Sequence, residues 1–151
     1  MSATRTQLNQ GLDAIPAVLG PFLALGHNST PKGSSVTLAV TYNPGLGVVS
    51  ALQFDAIFTG NLVFQSAAIG PAGTTAGKGL VFNAGTGGVR FVIAGLNQTA
   101  IGKGILATLT FGTLATAPLG PICVGIANVI ASTPTGVDAV IPGATGTVTL
   151  L

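Results

Sequence analysis

Ile105-Leu106-Ala107-Thr108-Leu109-Thr110-Phe111 puts Ile105, Ala107, Leu109 and Phe111 on one side of an extended chain and Leu106, Thr108 and Thr110 on the other. That period of two belongs to a half-buried strand. The same alternation returns upstream, where Val36, Leu38, Val40 and Tyr42 interleave with Thr37, Ala39 and Thr41 before a turn at Asn43-Pro44-Gly45. Proline presets φ there and glycine permits a positive one. Leu52, Phe54, Ala56 and Phe58 continue the pattern beyond the turn. Thr59-Gly60-Asn61 punctuates again before Leu62, Phe64 and Ser66.

After a glycine-rich stretch, Pro71 to Gly79, read as a loop, come Leu80 to Phe82, a turn at Ala84 to Gly88, and Val89, Phe91 and Ile93. Ile122, Val124 and Ile126 form a further strand and Thr147 to Leu151 the last. Eight or nine short strands separated by turn signals, with no sustained helical period after Gly20, predict an all-β antiparallel sandwich or jelly roll over residues 21–151. A chain of 151 residues can bury such a core without disulfides or metal.

Residues 1–20 read differently. Leu8, Leu12, Ile15 and Leu19 recur at spacings of four, three and four, as in a short helical turn or an apolar arm that rests on something. Gly11 and Pro16 weaken the helix. Ala14 to Leu25, with Arg5 ahead of it, also admits reading as the apolar core of an export signal, but Asp13, Pro16 and Pro21 favour an N-terminal arm. The stretch is too short for a membrane span.

Charge excludes more than it suggests. Ionic side chains are 5% of the chain, against about a quarter in ordinary soluble domains. Five scattered cations and a net charge of +2 are no footprint for nucleic acid, which needs clustered Lys and Arg. Cys123, within a strand, and His27, in a turn, read as a packing thiol and a surface imidazole rather than a nucleophile and base. Asp55 and Asp138 look isolated, and one Cys with one His cannot make a structural zinc site. Gly73 to Gly79 lacks the Ser or Thr and the spacing of a phosphate loop. Asn28-Ser29-Thr30 and Asn97-Gln98-Thr99 match the glycosylation triplet, which arises by chance in Thr-rich chains. The expectation is a protein with no catalytic group, no cofactor and no metal.

The outward strand positions are Thr and Ala where a solvated face normally shows Lys and Glu, and an edge without charge is a template for another chain. Thr37, Thr41, Thr108 and Thr110 are therefore expected partner contacts, together with Leu8, Leu12, Ile15 and Leu19 of the arm. A plainly solvated Thr-rich face is the alternative.

Pro31-Lys32-Gly33-Ser34-Ser35-Val36-Thr37-Leu38-Ala39-Val40, the block Val49 to Phe58, the run from Ala94-Gly95-Leu96-Asn97 through Phe111, and the closing Gly143-Ala144-Thr145-Gly146-Thr147-Val148 together resemble a bacterial cohesin-type domain, from Phe22 to the end. That resemblance implies a nine-stranded jelly roll that binds proteins without catalysis. Two departures count against a dockerin as partner: cohesins are usually modules of long secreted scaffoldins, and their binding face uses polar and acidic side chains that are scarce here. The leading expectation is thus a structural subunit that packs through its sheet faces and arm on copies of itself or on a shell, as a virion decoration protein or an extracellular filament subunit does. A receptor for a dockerin-like module is the alternative.

Overall fold

The structure, a computed structural model, describes residues 21–85 and 87–151. The arm residues Leu8, Leu12, Ile15 and Leu19 lie outside the described residues. The chain runs β1 (Phe22–Leu25), β2 (His27–Thr30), β3 (Ser35–Asn43), β4 (Ala51–Ile57) and β5 (Leu62–Ile69), then a five-residue helix, α1 (Pro71–Thr75). It continues through β6 (Gly79–Gly85), β7 (Gly88–Ala94), β8 (Gly104–Thr113) and β9 (Gly120–Ser132) to β10 (Asp138–Val140), β11 (Gly143–Ala144) and β12 (Gly146–Leu150).

These strands form two sheets packed face to face. One has the order β11-β1-β3-β8-β5; the other has β2-β12-β9-β4-β7-β6, with β10 beside β9. The sandwich of the sequence reading is present, with two changes: the described residues form twelve strands rather than eight or nine, and β1 pairs with β11, and β2 with β12, in parallel. Both pairings come from one device. Near each end the chain leaves one sheet and enters the other, at Gly26 and at Thr145, so four short segments replace two strands. The two crossings lie against each other, and a Cβ on Gly146 would strike the Gly26 carbonyl. Only glycine fits such an approach between backbones.

The core fills the space between the sheets. Leu38, Val40 and Tyr42 of β3 and Leu109 and Phe111 of β8 face Phe54 and Ala56 of β4 and Val89, Phe91 and Ile93 of β7, all at most 2% exposed. Phe54 stacks on Phe91 at 5.0 Å between ring centroids. Phe64 meets both Phe91 and Phe111 edge-on, tying the two sheets together. Each fully buried Phe or Leu contributes about 1.5–3 kcal/mol relative to exposure.

Alternation fails where the ladder does. The β3–β8 register slips between Val40 and Thr41, and past that bulge the predicted sides exchange: Ile105, read as inward, is 40% exposed, while Leu106, read as outward, is fully buried. A bulge adds one residue to one strand, so every side chain beyond it turns over.

The glycine-rich stretch read as a loop contains α1. Pro71 fits the first turn, where its missing N–H costs nothing. Gly77, at φ 73°, ends the turn while the Lys78 N–H donates to the Gly73 carbonyl at 2.9 Å.

Candidate docking faces

Each sheet has an outer face, and the two differ in chemistry. On the five-stranded sheet, β3, β8 and β5 stack in rungs. Thr37 lies opposite Thr110, which lies opposite Ser66; Ala39 lies opposite Thr108, which lies opposite Ala68. Thr41 pairs with the exposed Ile105. The four predicted contacts Thr37, Thr41, Thr108 and Thr110 therefore share one face. Thr37 and Thr41 are exposed and Thr108 and Thr110 half-buried. The Thr37 and Thr110 hydroxyls are hydrogen-bonded at 3.1 Å, and Ser35 donates to Gln65 Oε1 at 2.9 Å. Apart from the buried Tyr42, no strand of this sheet contains an ionisable side chain.

The outer face of the other sheet is ionic at its centre. Arg90 Nε donates to Asp55 Oδ1 at 2.7 Å and Nη2 to Oδ2 at 2.9 Å, a two-pronged pair. Asn128 Nδ2 donates to the same Oδ2 at 2.8 Å. Its backbone, at φ 52°, sits in a bulge of β9 opposite Gln53–Asp55. Asparagine tolerates this left-handed conformation better than other residues with a Cβ. The guanidinium and the Asn128 amide outweigh the effect of burial and hold the Asp55 carboxyl below its usual range. Asp55 is thus not isolated, as its sequence surroundings suggest. Its side chain is 12% exposed against 53% for Arg90, so the pair is a closed unit with only the cation reaching solvent.

His27 lies in β2 rather than in a turn, and its Nδ1 is 2.7 Å from Thr147 Oγ1. Cys123 is exposed on β9 rather than packed; it lies on one rung with Thr147 and His27, and Thr147 of β12 stands between it and the imidazole and takes the Nδ1 contact.

Lys78 and the Tyr42 hydroxyl are buried polar groups. Lys78, 6% exposed, donates through Nζ to Asn97 Oδ1 at 2.6 Å and to the Asn97 carbonyl at 3.1 Å. It fastens the 95–103 loop beside α1, and burial lowers its pKa. The Tyr42 hydroxyl, fully buried, has no hydrogen-bond partner among the described residues, and burial pushes its pKa up to about 12. The described residues hold no group of three or more His, Cys, Asp or Glu able to ligate a metal, and no helix among them is long and apolar enough to cross a membrane.

This arrangement of two sheets with crossing terminal segments is the cohesin fold. The chain superimposes on the sixth cohesin of scaffoldin B from Acetivibrio cellulolyticus, solved with a Cel5 dockerin, with a TM-score of 0.74 and 22% identity over 87% of this chain and 99% of that one. A non-cellulosomal cohesin from the archaeon Archaeoglobus fulgidus gives 0.74 and 14%, over 87% and 91%. CaCohA2 from Clostridium acetobutylicum gives 0.73 and 18%, over 87% and 90%. The sequence matches no protein-family model and no curated protein. The fold implied by the resemblance is therefore present, and these structural relatives are cohesins rather than virion or filament subunits.

Proposed function

We propose that this chain is a non-catalytic, extracellular protein-binding module that receives a dockerin-like partner on the outer face of the five-stranded sheet. The carrying observation is the absence, among the described residues, of any charged side chain from the strands of that face. Burying Thr, Ser and Ala beneath a partner removes no charge from water, whereas burying an unpaired carboxylate or ammonium costs several kcal/mol. The hydroxyls of Thr37 and Thr110 already share one hydrogen bond, which lowers the cost further. Ile105, Val63 and the Thr methyls supply apolar area at the positions a partner would cover. Several cohesins of like fold have been solved with dockerins, which favours a partner of that kind over packing on a shell.

The scarcity of acidic groups defines the partner: its contact surface carries small apolar and hydroxyl or amide side chains rather than a cluster of Lys and Arg. The test is titration of the isotope-labelled chain with the dockerin-type modules of its source organism, followed by amide chemical shifts. Shifts concentrated on β3, β5 and β8 are the expected result. Saturable binding that moves β4, β7 and β9 instead, or no binding by any module, contradicts the reading.

A further inference from the structure

A sheet edge offers unpaired N–H and C=O groups to any extended chain, and proteins blunt such edges with short strands, charges, prolines, bulges or covering segments. Most free edges of this sandwich are blunted. In the five-stranded sheet, β11 has two residues, and β5 is bulged at Gln65, where its register against β8 shifts. In the other sheet, β2 has four residues and Asn28 turns its amide to the Thr37 carbonyl at 3.0 Å. The side strand β10 has three residues and opens on Asp138.

Among the described residues, the edge strand β6 has none of these devices. Its seven residues, Gly79-Leu80-Val81-Phe82-Asn83-Ala84-Gly85, include no charge and no proline. Its register against β7 runs unbroken from Gly79–Ala94 to Gly85–Gly88. Every residue but Leu80 is exposed, Val81 at 66% and Phe82 at 46%. Among the described residues no loop forms a main-chain hydrogen bond to its outer edge.

We propose that β6 is a strand-addition site and that its occupant is β6 of a second copy of this chain, antiparallel and centred on Phe82. The strand is self-complementary in that arrangement. Gly79 faces Gly85 of the other copy, Leu80 faces Ala84, Val81 faces Asn83, and the two Phe82 rings flank the axis. No like charges meet, because the strand has none, and a net charge of +2 gives little repulsion between copies. A partner carrying side chains of its own would have to supply this match by design; a second copy has it already. The contact is isologous, so it closes at two copies and builds no filament. The two seven-stranded sheets become one continuous sheet, and both five-stranded outer faces stay free. The dimer does not rest on the function proposed above, but if that function holds, it presents two docking faces and gains avidity for a partner with repeated modules.

The interface is small, below the roughly 1,200 Å² of a standard complex, so association depends on concentration. Sedimentation of the full chain from micromolar to millimolar concentration is expected to show monomer passing to dimer and no further. Val81→Lys, at an exposed position that tolerates the change, is expected to weaken dimerisation at least about tenfold, while Ser29→Lys on the β2 edge leaves it unchanged. In a Cys123→Ser background, mixing Val81→Cys and Asn83→Cys chains is expected to give a disulfide-linked heterodimer in excess of either homodimer, since these positions face each other across the axis. A monomer at millimolar concentration overturns the proposal. So does a dimer indifferent to Val81→Lys, or cross-linking with no preference for the mixed pair.

Discussion

The outer face of the five-stranded sheet and the outer face of its partner sheet share one core and one pleat, yet they handle electrostatics in opposite ways. On β4, β7 and β9 an acid, a base and an amide close on each other: the Asp55 carboxylate accepts two hydrogen bonds from Arg90 and one from Asn128 within the face. On β3, β5 and β8 there is no charge to satisfy, and hydroxyls and methyls form a flat ladder. The first face holds the fold together from outside; the second is cheap to dehydrate. Stability should therefore depend on one face and binding on the other, and variants can separate the two.

The largest effect is expected on binding. Ala39→Glu, in the middle of the uncharged face, places an unpaired carboxylate beneath the partner and should weaken partner affinity by a hundredfold or more, about 3 kcal/mol. Calorimetric titration checks this, and thermal unfolding should show a stability within about 0.5 kcal/mol of the parent. Asp55→Ala should do the reverse. It leaves the Asn128 amide and the guanidinium without their acceptor and should cost about 2 kcal/mol in urea unfolding, with partner affinity unchanged.

Acid sharpens the same contrast. Because the folded-state pKa of Asp55 is lowered, its contribution is fully present above the unfolded value of about 3.9 and is lost as pH falls through the folded value. The parent should lose more stability than Asp55→Asn between about pH 5 and pH 2, as measured by denaturant midpoints. Salt gives the smallest effect. Raising ionic strength from about 0.05 to 0.5 M shortens the screening length severalfold, yet affinity at the uncharged face should change less than about threefold. A steep salt dependence would mean that the ionic face takes part in binding.

The two faces were unequally legible in the sequence. Val36 to Tyr42 and Leu52 to Phe58 alternate cleanly, and the four Thr positions fall on one face because β3 and β8 pair in register from Ser35 to Val40. Past Val40 the bulge exchanges Ile105 and Leu106, which alternation alone does not foresee, since an extra residue leaves no mark in local composition. The ionic face was missed because Asp55 and Arg90 are 35 residues apart. A signal was present: each sits at the outward position next to an inward Phe, Phe54 and Phe91, and those two rings are stacked. Asn128 carried no signal, for its role depends on a bulge in β9. The parallel pairings at the two ends depend on where the chain changes sheets, which turns on the contact of Gly26 with Gly146 and not on periodicity.

Hydrogen exchange on the chain with and without a captured dockerin-type module tests the division of labour most directly. Protection gained along β3, β5 and β8, with β4, β7 and β9 exchanging as before, is the expected pattern. Protection centred on the strands around Asp55 and Arg90, with the Thr ladder unchanged, would contradict it.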